Sequence, residues 1–313
     1  MTTSPTSPTA GLDAATRELL SSTLRELFAA HPDGTGLADA LADLGWADVL
    51  AQDPAGAVTL LFTEQGAALA ASSLLDDVVL GELPDGPAQL LYSCGDTGVL
   101  LRPYDPDHGT VLLSDDDSTA RVLPPGALAP RPLTGFDTAH GRFTAALPAG
   151  DTAPGTGLAA DDRRRAVAAA HRAIAAELIG VSRAALDLAR EHTSARVQYG
   201  RPLASFQAVR HRLSEAHVAV ESARATLDEA WQDGGALAAR VAKIRAGQAQ
   251  ETVTRTALQV FGAMGLTLES PLHRYVTRTA HLDLLLGSHR ALTERTGAEL
   301  LAGAVVAPLV TIG

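Results

Sequence analysis

Apolar residues recur every three or four positions from Arg163 to Glu299, the rhythm of helices with one inward stripe. The first stripe is Val167, Ala170, Ile174, Leu178, Val181, Ala185 and Leu188; the second is Phe206, Val209, Leu213, Ala216, Val220, Ala223 and Leu227. The short break Tyr199-Gly200-Arg201-Pro202 makes these two an antiparallel pair. A third helix runs from about Gly235 to Val260 through Leu237, Val241, Ile244, Val253 and Ala257, with polar Gln248 on its inward side. A glycine-bearing turn follows, and Pro271 suits the first turn of a fourth long helix carrying Leu272, Tyr275, Thr279, Leu282, Leu285 and Leu286. Four helices with short connections predict an up-and-down bundle.

The front half has a different pattern. Helices are expected over Leu12–Ala30, Gly36–Gly45 and Ala57–Leu75. From Leu80 the period shortens, and the runs 89–93, 97–102, 109–114, 120–123 and 141–147, bounded by Gly, Pro and Asp, predict a small antiparallel sheet. The expected organisation is a disordered leader over 1–10, a reduced helical domain over 11–79, a β-domain over 80–157 and a helical bundle over 158–313. Within it, Pro148 to Thr156 reads as a linker and the apolar tail Leu300 to Val310 as a packing segment. The fold class is α+β, mainly α.

Composition narrows the functions. A net charge of -11 argues against phosphate-backbone recognition, and the single cysteine, Cys94, permits no internal disulfide and suits a reducing, cytoplasmic setting. The start lacks the basic and apolar regions of an export signal, and no run reaches the length of a membrane span. The histidines of the helical part form no metal-ligand spacing, so no metal is expected. Glycine-rich dinucleotide fingerprints, Walker loops and nucleophile elbows are absent from the sequence as well.

Two clusters carry chemistry. In the stretch from Ser194 to Gln207, the Arg196 fork suits phosphate oxygens, and Gln198 or Gln207 suits a purine edge or a ribose. The plainer reading has Gly200 and Pro202 making a turn and Phe206 filling core. The second cluster, Gln259-Val-Phe-Gly-Ala-Met-Gly265, sets an amide beside glycines that admit a ligand or a neighbouring chain, or that merely end a helix.

Together these residues resemble the acyl-CoA dehydrogenase family. Arg196, Tyr199-Gly200, Pro202 and Phe206-Gln207 are similar to its arginine, aromatic-glycine, turn and Phe-Gln pattern. Gln259, Gly262 and Gly265, followed by Leu272-His-Arg-Tyr275, are similar to its Gln-x-x-Gly-x-x-Gly pattern and the start of its last long helix. The resemblance covers about Arg163 to Arg295. It implies an N-terminal helical domain, a middle β-domain and a C-terminal four-helix bundle. It also implies FAD shared across an obligate oligomer, normally a dimer of dimers: Arg196 and Gln207 at the pyrophosphate and adenosine portion, and Gln259, Gly262 and Gly265 at the adenine end.

The implied catalytic base is missing. Most family members carry a glutamate directly before Gly-Thr or Gly-Ser, and here Leu286 precedes Gly287-Ser288. Some members use the first bundle helix instead; counting back from Gly180-Val181, read as a turn, puts that position at about Ala170. Asp283, His289 and Glu177 are the remaining acid or base candidates. The segment that holds the flavin ring in longer members has no equivalent between Ala70 and Leu91. The chain therefore resembles the short, base-lacking subunit of heteromeric actinobacterial members, completing a heterodimer or an α2β2 assembly. Such a complex would desaturate a bulky acyl-CoA and pass electrons to an electron-transferring flavoprotein. The alternatives are a homo-oligomeric flavoenzyme with a relocated acid or base, and a flavin-free scaffold.

Overall fold

The computed structural model describes residues 11–84, 89–94, 96–114, 121–134, 142–147 and 156–303. The leader over 1–10, most of the linker and the tail beyond 303 lie outside the described residues. The front half holds five helices: α1 (Ala14–Ala30), α2 (Leu37–Asp43), α3 (Trp46–Gln52), α4 (Pro54–Ala68) and α5 (Leu74–Leu80). Three were expected. The addition of α3 follows from Asp53, whose side chain accepts from the Gly56 amide at 2.9 Å and, with Pro54 behind it, starts α4 as a separate helix. The expected Ala57–Leu75 helix stops early because Leu69 turns left-handed, at φ +53, and α5 begins afresh.

The sheet comprises β1 (Gln89–Cys94), β2 (Thr97–Leu100), β3 (Thr110–Leu113), β4 (Arg121–Leu123), β5 (Arg131–Pro132), β6 (Phe143–Ala146) and β7 (Thr156–Gly157), in the order β5-β6-β2-β1-β3-β4-β7. It is mixed rather than antiparallel, because β1 and β3 pair in parallel with Leu90 opposite Val111 and Tyr92 opposite Leu113. Alternation assigns the faces. Leu90, Tyr92, Val99, Val111 and Leu113 join the main core, while Leu91, Leu100, Leu112 and Leu123 form a smaller cluster on the other side.

The bundle is built on α6 (Ala160–Ala195), about 54 Å of helix at ~1.5 Å per residue. A tight hairpin, β8 (Val197–Gln198) and β9 (Arg201–Pro202), leads to α7 (Gln207–Asp233), and then come α8 (Ala236–Phe261), α9 (Leu272–Leu284) and α10 (His289–Leu301). Every residue of α6 from Ala168 to Ser182 is buried, because α4, α7, α8 and α9 surround it. A side chain such as Ile174 or Leu178, fully enclosed, contributes about 1.5–3 kcal/mol. Glycine sets the closest approach: a Cβ on Gly180 would collide with the Thr63 carbonyl, and one on Gly66 with the Glu177 carbonyl. Gly180 thus lies inside a helix, not at a turn.

The fourth long helix of the sequence reading is two helices. The chain leaves helical geometry at Leu285, Leu286 turns left-handed at φ +53 and Gly287 follows at φ +91. Ser288 then starts α10, its hydroxyl accepting from the Ala291 amide at 3.2 Å.

Candidate functional site

The bundle has two poles. At one, the last turn of α6 and the last turn of α8 meet where His192 stacks on Phe261, ring centroids 4.1 Å apart. This contact brings the two sequence clusters together. Arg196 ends α6, and its carbonyl accepts from the Leu203 amide at 2.9 Å, closing the hairpin. Tyr199 and Gly200 form the hairpin tip with φ +52 and +76. Phe206 supports the hairpin: the Arg201 guanidinium lies 4.1 Å above its ring and Tyr199 meets it edge-on at 6.3 Å.

The functional groups at this pole face outward. Arg196, Gln198, Gln207, Gln259 and Gly262 are all exposed, and Tyr199 is 92% exposed. Gln207 opens α7, and no side chain caps that helix, so its positive dipole end lies at this pole. Gly262 adopts φ +62, ψ -144, a conformation that glycine permits, with open space where a side chain would stand. Gly265 differs, because it is buried and a Cβ there would lie 2.9 Å from that of Phe261. Leu266 and Leu268 beside it are exposed at 74% and 86%. This pole has anion-compatible donors, an open glycine and an apolar rim.

The other pole is where the family's base would stand. Leu286 is fully buried. Its amide donates to the Ser93 carbonyl on β1 at 2.9 Å, and its own carbonyl lies 3.3 Å from His171 Nε2 on α6. Ala170, the alternative position, adjoins His171 and is equally enclosed. The structure thus brings both base positions to one place, and each holds a hydrocarbon side chain. Burial and nearby Lys243 hold the His171 imidazole well below its ordinary value, so it is neutral.

The remaining acid and base candidates are committed to partners. Asp283 accepts from the His289 backbone amide at 3.1 Å and meets His289 Nδ1 at 2.9 Å. His289 Nε2 lies 3.3 Å from a Glu251 carboxyl oxygen, so both ring nitrogens face acids. The hydrogen bond to Asp283 raises the His289 pKa. Gly247 makes room for this pair, since a Cβ there would come within 2.6 Å of Asp283 Oδ1. Glu177 sits elsewhere in the core, ion-paired with Arg278, which also donates to the Ala70 carbonyl at 3.4 Å.

Lys243 was not anticipated. It is the only lysine of the 313 residues and is fully buried on α8. Its ammonium donates to the Asp283 carbonyl at 3.0 Å and to the Gly287 carbonyl, holding the break between α9 and α10. A lone lysine inside the apolar run Val241-Ala242-Lys243-Ile244 was the signal in the sequence. Among the described residues no cluster of His, Cys, Asp and Glu suits a metal, and no helix is long and apolar enough to cross a membrane.

Comparisons with known proteins bear on these poles. Residues 165–301 match the family model "Acyl-CoA dehydrogenase, C-terminal domain". The chain is 31% identical over 194 residues to acyl-CoA dehydrogenase IpdE2 of Mycolicibacterium smegmatis, covering 62% of this chain and 60% of the relative. It is 34% identical over 127 residues to IpdE2 of Mycobacterium tuberculosis, covering 41% and 40%. The matches thus span 60% or less of these curated relatives. In fold, it is similar to the steroid ACAD Tcur3481-Tcur3483, with a TM-score of 0.72 and 21% identity over 92% of this chain and 98% of that one. It is also similar to the ChsE4-ChsE5 complex from Mycobacterium tuberculosis, with a TM-score of 0.71 and 20% identity over 95% and 100%. N-terminal helices, a central sheet and a C-terminal helical bundle make up the fold shared with those structures. The bundle that carries both poles, over residues 165–301, is thus similar to the C-terminal domain of the acyl-CoA dehydrogenase family.

Proposed function

We propose that this chain is the base-lacking subunit of a heteromeric acyl-CoA dehydrogenase that introduces an α,β double bond into an acyl-CoA thioester. A full-length family member supplies the glutamate. The observation that carries this reading is the separation of the two poles: from His171 to Arg196, α6 spans roughly 37 Å at ~1.5 Å per residue. The exposed donors of this chain therefore serve a site other than the one around its own Leu286. A neighbouring chain is the natural owner of that site, and the exposed Tyr199, Leu266 and Leu268 supply an apolar surface for it.

The residues at the exposed pole fit FAD. Arg196 and the uncapped start of α7 suit a pyrophosphate, Gln207 and Gln259 suit the adenosine portion, and Gly262 leaves room for close approach. When bound, the flavin supplies the hydride acceptor. This chain's contribution is to hold its phosphate end, while Leu286, Ala170 and neutral His171 leave its own base position unable to take up the α-proton as a carboxylate does. The likeness to a steroid ACAD favours a bulky acyl group, and an electron-transferring flavoprotein is the acceptor on the family pattern.

Co-expression with a full-length family member encoded beside it, followed by size-exclusion chromatography and a visible spectrum, tests the reading. A yellow complex that desaturates acyl-CoA, with neither chain active alone, is expected. A yellow homomer of this chain with desaturase activity would overturn it.

A further inference from the structure

We propose that the cavity enclosed by α2, α3, α4 and α5 against α6 and α7 binds an apolar carboxylate, independently of the flavin-facing pole. The cavity has a volume of about 480 Å³ and is lined by Leu50, Val58, Leu61 and Leu74 with few polar groups, a size and character typical of small-molecule sites. On α6, Ala169 and Arg172 line it. His171, which contacts Leu286, points to the other side of that helix, about 100° per residue around the axis.

The polar groups identify the ligand. Arg172 is 8% exposed and Trp46 5%. Arg172 Nε and Nη1, Trp46 Nε1 and Trp231 Nε1 are shut from solvent and have no hydrogen-bond partner among the described residues. All three residues line this one cavity, with the Arg172 guanidinium 4.5 Å above the Trp231 ring. Every one of those unpaired atoms is a donor, so the complement is an acceptor-only group. A carboxylate on a hydrocarbon body meets both the donors and the apolar walls. Two acids also line the wall. Asp77 pairs with Arg102, which it shares with Asp76. Glu82 lies 3.5 Å from Arg165 while its charge also acts on Arg172, with no hydrogen bond between Glu82 and the unpaired Arg172 Nε and Nη1. The mouth is lined by the exposed residues Ala38, Ala42 and Ala47.

The chain has two tryptophans, and both line the cavity, so intrinsic fluorescence reports on it directly. The probes are decanoate and decan-1-ol, titrated below their aggregation limits into the purified full chain. Decanoate is expected to saturate the signal and to bind about tenfold or more tighter than the alcohol, the scale of a charge-assisted hydrogen bond. Because the chain carries a net charge of -11, general attraction of anions does not produce that preference. Arg172→Gln should erase the preference, and Ala47→Phe, at the exposed mouth, should block both probes with an unchanged melting temperature. Equal binding of acid and alcohol, an unaltered ratio in Arg172→Gln, or no saturable response would overturn the assignment. If Arg172→Gln does not fold, undiminished decanoate binding by Ala47→Phe overturns it equally.

Discussion

Replacing Glu177 with alanine separates a structural carboxylate from a catalytic one. The Glu177 side chain is 4% exposed and Arg278 1%, so the substitution leaves a guanidinium enclosed in the core without its anion. Removing one member of a buried ion pair costs about 3–5 kcal/mol, a large share of the ~5–15 kcal/mol that holds a typical domain together. Arg278 also holds the Ala70 carbonyl beyond α4, so the loss loosens α4, α6 and α9 together. In urea denaturation the midpoint should fall at an unchanged m-value. The double variant Glu177→Leu/Arg278→Met should recover most of the loss, since apolar groups of similar volume replace buried pairs well. A cost below about 1 kcal/mol, or a double variant no better than the single one, would refute the structural role. In the reconstituted complex, Glu177→Gln should retain kcat; a drop of about 100-fold or more with the fold intact would make Glu177 the base.

Other outcomes follow from the same geometry. Gly180→Ala should lower stability by at least about 1–3 kcal/mol, because the new methyl meets the rigid Thr63 carbonyl rather than a movable side chain, and calorimetry measures this directly. Burial raises the Asp76 pKa from 3.8 to about 7, against the opposing pull of the Tyr92 hydroxyl, which donates to it at 2.8 Å, and of the Arg102 guanidinium 3.3 Å away. The folded chain holds this proton more tightly than the unfolded one, so the stabilisation is complete below pH 3.8 and is lost as pH rises towards 7. Asp76→Asn should therefore flatten the stability-pH curve across that window relative to the parent. Arg196→Ala, at an exposed position, should leave the isolated chain's melting temperature unchanged, while flavin retention by the complex falls by about tenfold, as read from the visible spectrum after gel filtration.

The bundle was legible in the sequence because α6, α7 and α8 each carry a periodic stripe bounded by turn residues. The last long helix was misread because its apolar rhythm runs on through Leu285 and Leu286. Gly287-Ser288 marked the break, but the buried Lys243 that secures it comes from another helix, and period alone does not reveal such a contact. Five strands of the sheet were legible for the same local reasons, whereas the two-residue strands β5 and β7 fell outside the expected runs, being too short to show alternation. The parallel pairing of β1 with β3 was not legible, since a run of alternating residues reads the same in either orientation. At the exposed pole, Arg196 and Gln259 stood out individually. Their proximity required the antiparallel path of α7, which returns the chain so that α8 ends beside α6. The Arg172 cavity left no trace, because Trp46, Arg172 and Trp231 lie far apart in sequence and each resembles an ordinary surface or core residue.

The solitary lysine has a further consequence for chemical durability. Thioesters transfer acyl groups to accessible amines but not to guanidinium groups at neutral pH. Every basic side chain on this protein's surface belongs to arginine or histidine, and the one lysine amine is sealed between α8 and the start of α10. Under the proposed function, this chain presents acyl thioesters with no lysine to modify. Acylation of Lys243 would instead report that the pole around Leu286 had opened.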